Sequence, residues 1–185
     1  MSKRNVFATA LLAATVAFGL AAPAQAQTFS SSYSGTFEST HMDTNADGLN
    51  AAKQSIRVLA GPLGPSTIDG LNELAITGAA TCPNGNPGAQ FTSVIGPASP
   101  SAFVQRFENT GDLLLLSMTS GGACFDTVTG TLFLQAAGVI TGGTGALTGA
   151  TGTFSVSGQG LFQFFDGANA FGPQAGTATA NIVLP

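Results

Sequence analysis

The glycine-rich stretch at residues 140–154, ITGGTGALTGATGTF, decides how this chain folds. Its glycines, at 142, 143, 145, 149 and 152, alternate with small or apolar residues. The first three allow a tight turn with positive φ, and the last two allow another backbone to approach closely at a bend. The stretch has no Walker lysine and no helix-forming sequence follows it, so it is not a nucleotide-binding loop. It predicts two strands that meet at a sharp corner.

Short runs of β-branched and aromatic residues recur on both sides of this stretch, separated by Gly, Pro and Asn. No segment after residue 26 has a convincing helical apolar period, so we expect an all-β domain. About eight strands joined mostly by short turns favour a barrel or a sandwich. The predicted strands are 29–38, 54–60, 73–80, 102–108, 112–119, 123–135, 153–165 and 177–184.

The glycine stretch resembles a motif of the allene oxide cyclase and plant dirigent families. The matching residues are Gly142, Gly143, Thr144, Gly145, Leu147, Gly149, Ala150 and Gly152. The resemblance, over residues 128–165, implies an allene oxide cyclase-like fold: a single antiparallel eight-stranded β-barrel, often trimeric, with an apolar cavity for hydrophobic molecules. Outside the glycine stretch the chain does not align with the polar cavity residues of either family. No catalytic residue is therefore carried over.

Residues 1–26 have the order of a secretory signal peptide. Lys3 and Arg4 precede an uncharged apolar run over 6–22, and Pro-Ala-Gln-Ala at 23–26 forms a small-residue cleavage site. We predict cleavage after Ala26, and retention of the run as an anchor is the alternative. Residues 27–185 then form one domain that is periplasmic or secreted and has no membrane span.

Composition limits the partners of the exported domain. Charged residues make up 8% of the chain and hydrophobic residues 44%, which is typical of a folded domain and not of a disordered tail. After residue 26, only Lys53, Arg57 and Arg106 oppose the nine carboxylates. No basic patch is left for phosphates, so we expect neither nucleic acid nor an anionic membrane as a partner.

Two cysteines, Cys82 and Cys124, are an even number in a chain predicted to enter an oxidising compartment. This favours a disulfide between them, and a reactive thiol is the alternative. With the cysteines paired, one histidine leaves too few ligands for zinc and a single base for any catalytic triad.

A second motif, DTNADG at residues 43–48, has the D-x-N-x-D-G spacing of a calcium loop. Oxygen ligands from Asp43, Asn45 and Asp47 can converge on one cation, and the glycine allows the sharp turn. The twelfth position is Gln54 in place of a bidentate Glu, and no helix flanks the loop, so an EF-hand is not expected. Two interpretations stay open: a calcium-stabilised loop and an Asx-rich turn without metal. No other cofactor is predicted.

Four consecutive leucines at 113–116 are apolar on both faces of a predicted strand. A half-exposed strand alternates apolar and polar residues, so the outer face of this one must be covered, either by another part of the chain or by a neighbouring subunit. Since the sequence has no helix to cover it, we expect a neighbouring subunit of a homo-oligomer. The family resemblance implies a trimer.

Candidate ligand-binding residues are Phe154, Val156, Phe162 and Phe164, at alternating positions after the glycine stretch. They either line a cavity or form ordinary barrel core.

Candidate catalytic residues are Glu73, Arg106 and Glu108, which lie on predicted strands, and the last two share a face. If they point inward, a carboxylate beside an arginine could orient or protonate a substrate. The alternative is a solvated ion pair of little consequence.

Three functions of different classes remain. The barrel binds a hydrophobic small molecule, which we favour because the sequence has the barrel motif and many phenylalanines but no catalytic constellation. Alternatively, it is a cyclase or isomerase that mainly shapes a reactive hydrophobic substrate. As a third possibility, it is a structural or surface-assembly protein with no ligand. The first two functions predict an internal cavity and the third a filled interior.

Overall fold

The computed structural model describes residues 26–40, 42–43, 45–96, 99, 101–165 and 170–185. Residues 1–25, which hold nearly all of the predicted signal peptide, lie outside this range. Cleavage after Ala26 therefore stays a prediction.

Ten strands make up most of the described residues. No helix in this part of the chain is long and apolar enough to cross a membrane. The strands are β1 Ala26–Ser39, β2 Ala51–Val58, β3 Ser66–Thr81, β4 Pro87–Val94, β5 Ala102–Phe107, β6 Leu113–Asp126, β7 Thr131–Gly143, β8 Thr151–Leu161, β9 Phe164–Phe165 and β10 Ala170–Val183.

All strand pairs are antiparallel, and the sheet closes on itself. β4 and β5 both lie between β3 and β6, one after the other along a single position of the sheet. β9 follows β8 along the same edge of β10. β10 pairs back onto β1, from Ala26↔Val183 to Glu38↔Phe171. The ring in the described chain therefore has eight strand positions, and the predicted antiparallel barrel is confirmed.

Strand boundaries differ from the prediction most around Gly121 and Gly122. Separate strands over 112–119 and 123–135 were wrong, because β6 continues through both glycines and the turn to β7 lies at 127–130. The register with β7 shifts between Met118 and Ser120, so the strand bends without losing its partner. A Cβ at Gly122 would lie 2.5 Å from the carbonyl oxygen of Phe91, which explains a glycine inside the strand. The sequence analysis also missed β4.

The predicted corner at the glycine stretch is present as a 3₁₀ turn, Gly145–Leu147, between β7 and β8. Gly145 has a φ of 57°, and a Cβ at this position would collide with the carboxylate of Asp112. Only glycine fits a position that is both left-handed and crowded. Thr144 ties the turn to β6, since its N–H donates to the Leu113 carbonyl at 2.9 Å and its Oγ1 accepts from the Leu113 N–H at 3.0 Å.

Inward side chains form two apolar clusters, one toward each end of the barrel. The larger lies at the end with the glycine corner and consists of Tyr33, Ile56, Val58, Ile68, Phe107, Leu114, Leu116, Ile140, Leu147, Ala150, Ala180 and Ile182. The smaller lies at the opposite end, where Phe91, Phe125, Leu134, Phe162 and Ala170 pack against Phe37, Ala123 and Leu132.

The leucine run alternates between the two faces of β6. Leu114 and Leu116 are 1% and 6% exposed in the core, whereas Leu115 is 41% exposed on the outer surface. Its cross-strand partner Val104 is exposed beside it. No described part of the chain covers this outer face, where Leu115 and Val104 are exposed. A covering subunit stays a prediction.

Candidate functional site

The barrel contains a cavity of about 90 Å³ between its two apolar clusters. Apolar side chains form most of its wall, and none of the described residues that line it is Asp, Glu, Lys or Arg. A site without charges favours uncharged ligand groups, because an unpaired charge is costly to bury. The apolar lining includes Ile56, Ile68, Leu116, Met118, Phe154 and Val156, and the polar lining includes Tyr33, Gln54, Asn72, Ser93, Gln135 and Gln174.

Two of the four predicted ligand-binding residues line this cavity. Phe154 and Val156 do so from β8. Phe162 instead makes edge-on ring contacts with Phe37 and Phe125, at centroid distances of 5.3 and 4.8 Å, in the smaller apolar cluster. Phe164 is exposed on β9. The alternation fails beyond residue 161 because β8 ends there.

A row of side-chain amides crosses one wall of the cavity. Gln174 Nε2 donates to Gln54 Oε1 at 2.5 Å and to the Thr36 carbonyl at 3.1 Å. Gln54 Nε2 in turn points to Asn72 Oδ1 at 3.5 Å, a long contact. The donors of the row are thus directed toward Asn72. We call Gln174, Gln54 and Asn72 the amide row.

Sequence analysis missed the amide row, although a signal for it was present. Gln54 has the same parity as the inward residues Ile56 and Val58 on β2. An amide side chain among inward apolar residues indicates a polar group inside a barrel.

Tyr33 is a polar group of the cavity wall with no partner. It is 2% exposed, and its hydroxyl has no hydrogen bond to any described residue. Burial raises the pKa of Tyr33 above its ordinary value, so the phenol is neutral at physiological pH. Such an unsatisfied group costs free energy in the folded state.

The predicted acid–base residues do not come together. Arg106 is exposed on the outside of the barrel, and Glu108 pairs with Arg57 at 2.9 Å on the surface. The acid–base interpretation required Arg106 and Glu108 to point inward, and this condition is not met, since Phe103, Gln105 and Phe107 occupy the inward positions of β5. Glu73 is buried, but it does not line the cavity.

Glu73 instead lies beside the predicted calcium loop. Carboxylate oxygens of Asp43, Asp47 and Glu73 all lie within 4.8 Å of one another. Asn45 belongs to the same cluster, because its Nδ2 donates to Asp47 Oδ2 at 3.0 Å and to Glu73 Oε2 at 3.2 Å. Thr44, within the motif, lies outside the described residues. The fold thus adds a carboxylate from β3 to the three residues named from the motif.

The backbone of the loop is held by the same side chains. Asp43 accepts hydrogen bonds from the N–H groups of Gly48 at 2.9 Å and Asp47 at 3.2 Å. The bond from Gly48 is the main reason that the pKa of Asp43 is lowered. Asp43 is therefore ionised at neutral pH, as a ligand of a hard cation must be. Hard oxygen donors of this kind could hold calcium.

The predicted disulfide is present beyond the end of β3. Cys82 and Cys124 are bonded, with Cα atoms 5.6 Å apart, and join the turn after β3 to β6. It excludes the alternative of a reactive thiol in the oxidised protein.

Asp126 holds the turns next to the disulfide. It is fully buried and accepts hydrogen bonds from Asn84 Nδ2 at 2.6 Å, Asn86 Nδ2 at 2.9 Å and Thr129 Oγ1 at 2.6 Å. Burial acts to raise the pKa of Asp126, but these bonds and one from the Val128 N–H outweigh it, so the pKa lies well below the ordinary value. The residue is a structural anion, and sequence analysis did not single it out.

Comparison with solved structures finds a likeness in fold. The structure is similar to that of a pterocarpan synthase dirigent protein, with a TM-score of 0.40 and 10% identity, covering 87% of this chain and 86% of that chain. No family model and no curated protein matches the chain. Its class therefore rests on its own strand pairing. It is a small, disulfide-linked antiparallel β-barrel with an internal cavity.

Proposed function

We propose that this protein is an exported β-barrel that binds a small hydrophobic molecule in its internal cavity. The observation that carries the proposal is the cavity of about 90 Å³ with a mainly apolar wall and no charged lining residue in the described chain. Apolar cavities inside proteins bind small apolar molecules. The volume favours a ligand about the size of one small ring.

Binding is favoured over the two alternatives by the contents of the barrel. A cyclase or isomerase that uses the proposed acid–base pair is disfavoured, because Arg106 and Glu108 lie on the outer surface. A purely structural role predicts a filled interior, and the cavity argues against it. We also propose that the protein is related to the allene oxide cyclase and dirigent barrels. The glycine motif at residues 142–152 supports this relationship.

Export is supported by the pattern of residues 1–26 and by the disulfide. A bond between Cys82 and Cys124 persists in the periplasm or outside the cell and is rare in the cytosol. We also propose a homo-oligomer, supported by the exposed apolar pair Val104 and Leu115 on neighbouring strands.

A structural calcium ion is a separate part of the proposal. It is supported by the convergence of Asp43, Asn45 and Asp47 with Glu73, a carboxylate from a different strand. The ion would tie the β1–β2 loop to β3 and would take no part in binding the hydrophobic molecule.

The experiment uses the single tyrosine of the chain. There is no tryptophan, so intrinsic fluorescence comes from Tyr33, which lines the cavity. The purified, exported protein is titrated with two small-ring compounds, cyclopentanone and methylenecyclopentane, while tyrosine emission is recorded. Native mass spectrometry of the same preparation gives the oligomeric state and any ligand that is retained.

Two neighbouring substitutions separate the cavity from the outer surface. Val156→Phe fills the cavity from β8, whereas Ser157→Phe adds the same side chain on the exposed face. We expect saturable binding of at least one compound by the wild type and by Ser157→Phe, and its loss in Val156→Phe. No saturable response in a folded wild-type protein would overturn the proposed function.

A further inference from the structure

The amide row determines what kind of ligand the cavity accepts. The first two members of the row each direct an N–H donor at the next. Gln174 donates to Gln54, and Gln54 points to the oxygen of Asn72. The side-chain nitrogen of Asn72 has no acceptor among the described residues. The row therefore ends in an amide group whose N–H donors are not used by any described residue.

This free end belongs to the cavity. Asn72 lines it and is a buried residue, 6% exposed. A second lining residue, Tyr33, has a buried hydroxyl without a partner. Both groups are neutral, and both can donate a hydrogen bond. The cavity thus has unused donors in a mainly apolar, uncharged wall.

We propose that the ligand is a neutral, compact molecule with one hydrogen-bond acceptor, such as a ketone, aldehyde, ester or lactone carbonyl, which accepts from the Asn72 amide. This inference rests on the proposed function and names the ligand class. A carboxylate is disfavoured because no lysine or arginine of the described chain lines the cavity. A pure hydrocarbon is disfavoured because it displaces any water from Asn72 without replacing its hydrogen bond.

The test compares two ligands of nearly equal shape. Cyclopentanone and methylenecyclopentane differ mainly in a carbonyl oxygen replaced by a CH2 group. We expect the wild-type protein to bind the ketone about tenfold more tightly, which corresponds to one buried hydrogen bond lost by the alkene. The affinities are read from tyrosine emission and checked by isothermal titration calorimetry.

Two variants identify the donor. Asn72→Leu keeps the side-chain size but removes the amide, and we expect it to abolish the preference for the ketone, because the ketone loses its donor and the alkene no longer leaves an amide without a partner. Asn181→Leu makes the same change on the exposed face of β10 and should keep the preference. The comparison of the two ligands on the wild type tests the acceptor preference even if Asn72→Leu does not fold.

The outcomes separate this inference from the proposed function. Equal binding of both compounds by the wild type overturns the inference and leaves the hydrophobic cavity function standing. A ketone preference that persists in folded Asn72→Leu overturns the role of Asn72. Absence of binding by either compound overturns the cavity function and this inference with it.

Discussion

The hydroxyl of Tyr33 packs directly on the Cα of Gly158, two strands away around the barrel. Tyr33 on β1 faces Gly176 on β10, and Gly176 faces Gly158 on β8. A Cβ at position 158 would collide with the Tyr33 oxygen. The tyrosine ring therefore lies over two glycines of the neighbouring strands, as aromatic side chains do when they cover glycines in sheets. This packing leaves its hydroxyl buried and unpaired.

Removal of the Tyr33 hydroxyl should not destabilise the ligand-free protein. Tyr33→Phe keeps the ring over the glycines and deletes a buried donor that has no partner, so we expect the free energy of unfolding to stay equal or to rise by about 1 kcal/mol. Urea unfolding followed by circular dichroism measures this, because the variant has no tyrosine emission. A loss of more than about 1 kcal/mol would show that the hydroxyl has a hydrogen-bond partner in solution.

The ionisation of Tyr33 should make the barrel sensitive to alkali. Burial raises the pKa of Tyr33 in the folded state above the value of about 10 in the unfolded chain. The unfolded state loses its proton first, so this contribution to stability is intact below pH ~10 and is lost as the pH rises through the folded pKa. Phenolate absorbance of the folded protein should titrate above pH 10, and Tyr33→Phe should lose stability less steeply over the same range.

The barrel itself could be predicted because it depends on local patterns. The glycines at 145 and 149 mark a corner that other residues cannot make, and both have positive φ in the structure. The prediction for β6 failed where local signals conflict with tertiary pairing. Gly121 and Gly122 indicate a turn by composition, but the neighbouring strands β4 and β7 hold them in an extended strand.

The candidate sites could be predicted only in part, because they depend on register and on which face is inward. Asp43, Asn45 and Asp47 are adjacent in sequence, whereas Glu73 joins them only because it pairs with Ala51 across β2 and β3. The sequence analysis left open whether Arg106 points inward, although the pattern of β5 indicates that it points outward. Phe103 and Phe107 alternate with Arg106 along β5, and because they are apolar they are expected to face the inside of the barrel.

The disulfide should contribute strongly to the stability of the barrel. Cys82 and Cys124 are 42 residues apart, and in the chain-entropy model a cross-link of this length stabilises by about 4 kcal/mol. We expect the double variant Cys82→Ser/Cys124→Ser to have a free energy of unfolding that is lower by about that amount, and so to unfold at a lower urea concentration. Its folded circular dichroism spectrum should stay similar. Reductant should destabilise the wild type and leave the double variant unchanged. Equal stability of the two proteins without reductant contradicts the expectation.

Asp126 should make the protein sensitive to acid. Its pKa is depressed in the folded state by hydrogen bonds from Thr129, Asn84 and Asn86 that outweigh burial. The unfolded state therefore takes up the proton first, and the stability due to these bonds is present above pH ~4 and lost as the pH falls below it.

The measurement is urea unfolding between neutral pH and the lowest pH at which the protein stays soluble. Asp126→Asn should be less stable than the wild type at neutral pH and should lose less on acidification. Asp69→Asn serves as the control, since Asp69 is exposed and accepts only one hydrogen bond, from Ser55, among the described side chains. A pH dependence identical in Asp126→Asn and the wild type rules out Asp126 as the group responsible.

Calcium should stabilise the loop between β1 and β2 through ligands from two parts of the chain. An ion that binds only the folded state adds about 2.7 kcal/mol at a hundredfold excess over its Kd. We expect the Tm to rise with calcium, to fall with a chelator and to respond less to magnesium, which prefers a smaller octahedral site. Asp47→Asn, in the motif, and Glu73→Gln, on β3, should each weaken the response.

The control is Asp69→Asn, on the same strand as Glu73 but outside the cluster, which should keep the response to calcium. If Asp47→Asn abolishes the response and Glu73→Gln leaves it intact, the ion is held by the loop alone. A Tm that is equal with calcium and with chelator identifies the motif as an Asx-rich turn, closed by the hydrogen bonds from Gly48 and Asp47 to Asp43.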